Sequence, residues 1–220
     1  GNPVDCVDDR LGPGLPTVRD WTEQHFEFSG YITGFDQSAL GDREQLRSEL
    51  GYHPDERLCI VTVGGTGVGE SLLRKVMASY PEAKAAIPDL RMVVVAGPRI
   101  DPATLPQHEG LEVRPYVHHL YRHLAACDLA VVQGGLTTSM ELAANKRPFL
   151  YFPLEHHFEQ NFHVAHRLDR YAAGRRMDYA TATPDSTAAA ISEEIGRAVD
   201  YRDVETDGAS NAAKLLAEML

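Results

Sequence analysis

Gly134 and Gly135 follow a short apolar run, Leu129 to Val132, and lead into three hydroxyls, Thr137, Thr138 and Ser139, and a lone acid, Glu141. These residue types suit anion binding beside hydroxyl recognition. Glycines let a backbone approach a ligand closely. A helix that starts there offers unpaired N–H groups and roughly half an elementary positive charge to an anion. A carboxylate one to two turns further along can accept hydrogen bonds from vicinal hydroxyls. A second apolar run, Pro148 to Phe152, leads to the acid–amide pair Glu159-Gln160, again suited to sugar hydroxyls. Phosphate next to sugar is the chemistry of a nucleotide or a nucleotide-sugar.

Such a site needs strands to aim it. Arg57 to Val63, Arg91 to Ala96, Asp128 to Val132 and Pro148 to Phe152 are apolar runs without polar alternation, and shorter strands are expected at 111–115 and 174–178. Helical patterns lie between them, at 70–80, 118–126, 137–145 and 158–170, with further helices at 42–51, 184–199 and 209–220. Strands rich in Val and Ile that alternate with helices predict a parallel sheet covered on both faces, in an α/β, Rossmann-like three-layer domain. In such sheets ligands bind at the carboxyl ends of the strands. Gly64 to Gly69 and Gly134-Gly135 both follow strands, so they are expected to line one crevice. Residues 1–35 read differently. They hold the proline- and glycine-rich LGPGLP and little periodicity, and a short strand is expected within 25–35.

The loop GGTGVG at 64–69 does not complete a dinucleotide fingerprint, because the position that needs the third glycine holds Glu70. No Gly-Lys-Ser/Thr phosphate loop occurs. The loop fits a place near a phosphate or sugar better than it fits a bare tight turn. The histidines, among them His118, His119, His123, His156, His157, His163 and His166, show no H-E-x-x-H spacing and no nearby cysteine, so no metal site is expected; surface or cleft positions are. Glu141 alone would read as an ordinary helix residue; its distance from the glycine turn is what suggests a ligand contact.

Composition narrows the partners. A net charge of −11 argues against a nucleic-acid backbone, whose binding relies on Lys and Arg. An acidic chain that holds a diphosphate must rely on helix N-termini and backbone N–H groups, which agrees with a glycine–threonine site. Three scattered cysteines, Cys6, Cys59 and Cys127, read as thiols of a reducing compartment. With neither a signal peptide nor a long apolar run in view, a cytoplasmic location is expected.

Residues 131–164 resemble the donor-binding signature of GT-B glycosyltransferases. The matching pattern is Gly134-Gly135, Thr137-Thr138, Glu141, Pro148, Pro153 and Glu159-Gln160. The step from Pro153 to Gln160 is closer to the bacterial lipid-intermediate N-acetylglucosaminyltransferases than to the plant enzymes. The likeness extends over roughly 28–200 and implies the C-terminal half of a GT-B fold. It implies a linker or remnant of a preceding domain at 1–35, a nucleotide-sugar-binding domain at 36–205 and a closing helix at 206–220. Gly134, Gly135, Thr137 and Thr138 would then bind the diphosphate. Glu141 would bridge the ribose hydroxyls, and Glu159 and Gln160 would hold the donor sugar. Thr66 and Gly67 would lie near the phosphates, and the main chain at Val117 would pair with the base. Gln133 stands where plant-type members carry a histidine. Asn145 to Arg147 replaces the usual glycine before Pro148, a turn that Asn can still make.

The resemblance implies an inverting, metal-independent transfer of a hexosyl group from a UDP- or TDP-sugar to an acceptor hydroxyl. The donor is a substrate, and no cofactor is implied. The catalytic base is expected in an N-terminal acceptor-binding domain, which would also make any membrane contact, and the isolated donor half is expected to be inactive. The lack of an initiator Met and the irregular start suggest a piece of a longer protein. Alternatives are a stand-alone subunit working with a separate acceptor-binding partner, a nucleotide-sugar epimerase of the same fold, and a non-catalytic nucleotide-binding module.

Overall fold

The computed structural model describes residues 1–65 and 67–219. It holds six parallel strands: β1 Arg57–Thr62, β2 Leu90–Val95, β3 Leu111–Arg114, β4 Leu129–Val132, β5 Phe149–Tyr151 and β6 Arg175–Arg176. Their order in the sheet is β3-β2-β1-β4-β5-β6. This is the doubly wound order, in which the direction of winding reverses between β1 and β4. Ile60 pairs with Val93 on one side and Ala130 on the other, and β1 is with β4 one of the two central strands.

Alternate side chains feed two separate cores, which explains the absence of polar alternation. Leu58, Ile60, Ala130, Val132, Phe149 and Tyr151 face one layer, with buried residues of α5 (Leu120–Ala126), α6 (Leu136–Ala144) and α7 (Ala165–Tyr171). Cys59, Val61, Leu129, Val131 and Leu150 face the other, with residues of α3 (Glu70–Ala78), α4 (Tyr80–Ala86) and α8 (Pro184–Glu194). Both faces of the central strands are therefore closed to water, as a parallel sheet requires.

At the amino edge of the sheet, α2 (Arg43–Glu49) supplies two guanidinium groups to Asp128. Arg47 Nη1 donates to Asp128 Oδ2 at 2.9 Å, Arg43 pairs with Oδ1, and the Leu58 N–H donates to Oδ2 at 2.7 Å. Burial pushes the Asp128 carboxyl up, but the Leu58 N–H and the two arginines outweigh it and hold it below the usual carboxylate range. Arg47, itself buried, also donates to the carbonyls of Ala126, His53 and Glu56. Asp128, Arg43 and Arg47 are thus paired with one another or with backbone groups, with Arg43 Nε left over.

Several elements differ from the sequence expectation. The strand expected within 25–35 is absent; α1 (Val18–His25) precedes it, capped by Thr17 accepting from Asp20 N–H at 3.0 Å. The following segment is extended and has one strand-like pairing among the described residues, the antiparallel bridge Ile32 to Asp207, while Tyr31 packs into the core and Phe35 stacks on Tyr121. Isolated extended chain of this kind has no ladder to complete, so alternation alone could not make it a strand. The helix expected at 158–170 opens with a π-helical stretch, Glu159–Val164, before α7. The pattern at 184–199 ends earlier, at Glu194, because Ile195 is extended and Gly196 has a φ of 73°. The closing helix, α9, spans Gly208–Glu218. The N-terminal residues pack on α7: Asp5 is fully buried and takes Arg170 Nη1 at 2.7 Å.

Candidate functional site

The switch point between β1 and β4 opens into a cleft of about 450 Å³. Its walls include Thr62 to Gly64 from the end of β1, Val132 to Gly135 without Gly134 from the end of β4, Thr138 of α6, and Leu154, His157 and Gln160 beyond β5. The two glycine turns thus share one crevice. Gly134 makes the turn at φ 86°, a conformation that suits glycine, and a Cβ there would meet Tyr151 Cδ2 at 3.3 Å. Gly135 is the N-cap of α6; no side chain caps this end, and a Cβ added at Gly135 would meet nothing within 4 Å. The first turn of α6 therefore presents its unpaired N–H groups to open space. Gln133 lines the same cleft. It is 7% exposed, and its Nε2 is buried with no hydrogen-bond partner among the described residues.

Thr137 and Glu141 belong to the other flank of α6. They line a second cavity of about 260 Å³, closed on its far side by residues 29–33, Arg167 and Val204. The carboxylate of Glu141 has no hydrogen bond or ion pair among the described residues. Burial pushes it up to about 7. A half-buried acid without a partner among the described residues, set in a cavity, is a candidate for a ligand contact. Thr137 and Thr138, adjacent in sequence, thus face two cavities that straddle the start of one helix. Between Gly135 and Glu141 the helix rises by about 9 Å.

Gln160 is buried at the cleft wall, and its Oε1 already accepts from the Leu154 N–H at 2.9 Å. Glu159 is exposed on the π-helical stretch and does not line the cleft. Val117 packs its side chain into the core, so only its main chain is available to a ligand. Gly67 begins the short 3-10 turn Gly67–Gly69, and Thr66 lies outside the described residues. Sequence reasoning missed the 29–33 wall and Arg167, and it left His157 among the surface or cleft histidines without a role. The wall and Arg167 have no local signal, since only the chain's path brings them to α6. His157 carries a weak one, as the polar residue immediately before a helix start.

Fold and site together define an α/β domain with a doubly wound sheet whose switch point carries a bare helix N-terminus, with an acid beside it that has no partner among the described residues. The comparisons agree. Residues 58–219 match the glycosyltransferase family 28 C-terminal domain, and the chain belongs to that family. It is 31% identical over 184 residues, 79% of this chain and 45% of the relative, to an uncharacterized glycosyltransferase of Methanosarcina acetivorans. It is 32% identical over 128 residues, 54% of this chain and 34% of the relative, to the UDP-N-acetylglucosamine--N-acetylmuramyl-(pentapeptide) pyrophosphoryl-undecaprenol N-acetylglucosamine transferase of Carboxydothermus hydrogenoformans. Among solved structures, the glycosyltransferase SnogD from Streptomyces nogalater shares the fold at a TM-score of 0.57 and 19% identity, over 98% of this chain and 53% of that one. The glycotransferase of kitacinnamycin does so at 0.57 and 24%, over 90% and 46%. The chain spans about half the length of the first curated relatives it matches. It is a glycosyltransferase C-terminal domain with the GT-B fold. No helix among the described residues is long and apolar enough to cross a membrane.

Proposed function

We propose that this chain binds the donor, a nucleoside-diphosphate sugar, in an inverting, metal-independent glycosyltransferase that transfers a hexosyl group to an acceptor hydroxyl. The observation that carries this reading is the uncapped start of α6 at the switch point, with the partnerless Gln133 Nε2 in the same cleft. A diphosphate seated there takes the free N–H groups of the first turn, the Thr138 hydroxyl and the Gln133 amide. The nucleotide then runs across the flank of α6, so that Glu141 accepts from the ribose hydroxyls in the second cavity. The sugar extends toward Gln160 and Glu159, and the turn that begins at Gly67 lies near the phosphates.

In transfer, the acceptor oxygen attacks the anomeric carbon as the bond to the diphosphate breaks. The charge that develops on the leaving group meets dipoles already oriented toward it, which lowers the barrier without reorganisation. A base from an N-terminal acceptor-binding domain takes the hydroxyl proton. Holding donor and acceptor together requires both halves of the cleft, so the donor half alone binds and does not transfer. The relatives' names favour UDP over TDP as the nucleotide. A cytoplasmic site of action fits a nucleotide-sugar substrate, with any membrane contact made by the acceptor domain.

Calorimetric titration of this chain with UDP and TDP tests the reading; binding of at least one is expected, and binding of neither overturns it. A transfer assay on the full-length protein, scored for glycosylated product against free nucleotide with an altered sugar, separates a transferase from an epimerase.

A further inference from the structure

The loop after β5 is braced more heavily than a connection needs. Leu154 N–H donates to Gln160 Oε1 at 2.9 Å, and Asn161 Nδ2 donates to the carbonyls of Leu154 at 2.6 Å and His157 at 3.1 Å. Arg176, on β6, donates to Asn161 Oδ1 at 2.8 Å and ties this clasp to the sheet. The clasp sits where the helix opens as a π-helical stretch, a rare geometry found often at functional sites. Its consequence is the placement of His157. That ring lines the 450 Å³ cleft and also an adjoining apolar groove shared with Val68 and Leu154. Its Nδ1 accepts from the Gln160 N–H at 3.4 Å. With Nδ1 an acceptor, the neutral ring carries its proton on Nε2. Gln160 spends its Oε1, an acceptor, inside the loop, so what the loop offers to the cleft are donors: the His157 ring N–H and the Gln160 amide N–H groups.

Resting on the donor-site reading above, we infer that His157 is a donor-contacting residue: its Nε2–H donates to the β-phosphate, the phosphate nearer the sugar. Asn161 and Arg176 are positioning residues that hold it there.

The test is calorimetry on this chain with UMP, UDP and UDP-glucose. His157→Ala is expected to weaken UDP and UDP-glucose about tenfold, the size of one charge-assisted hydrogen bond, and to leave UMP, which lacks the β-phosphate, unchanged. His157→Gln, which keeps an N–H donor, recovers most of the loss. Asn161→Ala shows the same selectivity at smaller size and adds nothing in the His157→Ala background, because it acts through that ring. Equal losses for UMP and UDP, or no loss, overturn the assignment while the nucleotide reading stands. Failure of the unaltered chain to bind any of the three, or their TDP-series counterparts, overturns both.

Discussion

The two edges of this sheet hold buried polar groups under opposite rules. At the amino edge, Asp128 has two arginines and a backbone N–H, and its carboxyl is held low. At the carboxyl edge, Glu141 has no partner and is pushed up to about 7, while Gln133 Nε2 is buried without an acceptor. Burying a polar group unpaired costs free energy. The amino edge pairs its carboxylate and, Arg43 Nε apart, its guanidinium donors, and joins α2 to β1 and β4; the carboxyl edge leaves Glu141 and the Gln133 amide free for a ligand. Satisfied charge marks where the fold is braced, and unsatisfied polarity marks where it binds.

The sharpest way to break this contrast is at Asp128. Asp128→Ala leaves Arg43 and Arg47 without their shared carboxylate and should destabilise the chain by about 3 kcal/mol. Denaturant titration reads this, and nucleotide affinity in the folded protein should not move. Stability unchanged by the substitution would mean the arginines find other partners and the edge is not a brace. The next effect lies at the other edge. Glu141→Ala should weaken UDP binding by about 1–3 kcal/mol, the range for a lost hydrogen bond to a charged group, with no loss of stability. Unaltered affinity in a folded variant would remove the ribose assignment.

A smaller effect separates the two glycines. Gly134→Ala forces a positive φ and a close approach to Tyr151, at a cost of about 1 kcal/mol in stability. Gly135→Ala, with open space at its Cβ, should leave stability nearly unchanged and act on UDP affinity instead. If both act on stability alone, the open space before α6 is not a ligand site. The smallest effect is a pH dependence. Glu141 titrates near 7 when unliganded, and ribose hydroxyls bind its ionised form better. Affinity for UDP-glucose should rise from pH 6 to pH 8 and level off above, and Glu141→Gln should flatten the rise. The stability sign is opposite: a carboxyl raised above its unfolded value costs stability as pH climbs through about 7. Glu141→Gln should therefore raise the thermal midpoint more at pH 8 than at pH 5.

Much of the frame is legible along the chain. The runs at 57–63, 91–96 and 128–132 lack polar alternation because both of their faces are buried, so they point directly to a parallel sheet. Gly134, Gly135 and the hydroxyls after them identify a helix start before any coordinate is known. The π-helical stretch at 159–164 is not readable, since the apolar spacing there fits an ordinary helix as well. The clasp formed by Gln160, Asn161 and Arg176 joins residues up to 22 positions apart, with Leu154 at one end, and no periodicity reports such a contact.

The amino-acid sequence by itself determined the layers and the chemistry on offer, because burial pattern and residue type are local properties. It placed glycines, hydroxyls and an acid at strand ends, and a sheet of this kind brings strand ends together. Tertiary structure alone decided how that chemistry is divided. Thr137 and Thr138, neighbours in the chain, open onto different cavities, and Glu141 is walled by residues 29–33 from more than a hundred positions away. Which of a helix's flanks meets which neighbour depends on packing across the whole fold, so the partition of the site appears only once the chain has closed on itself.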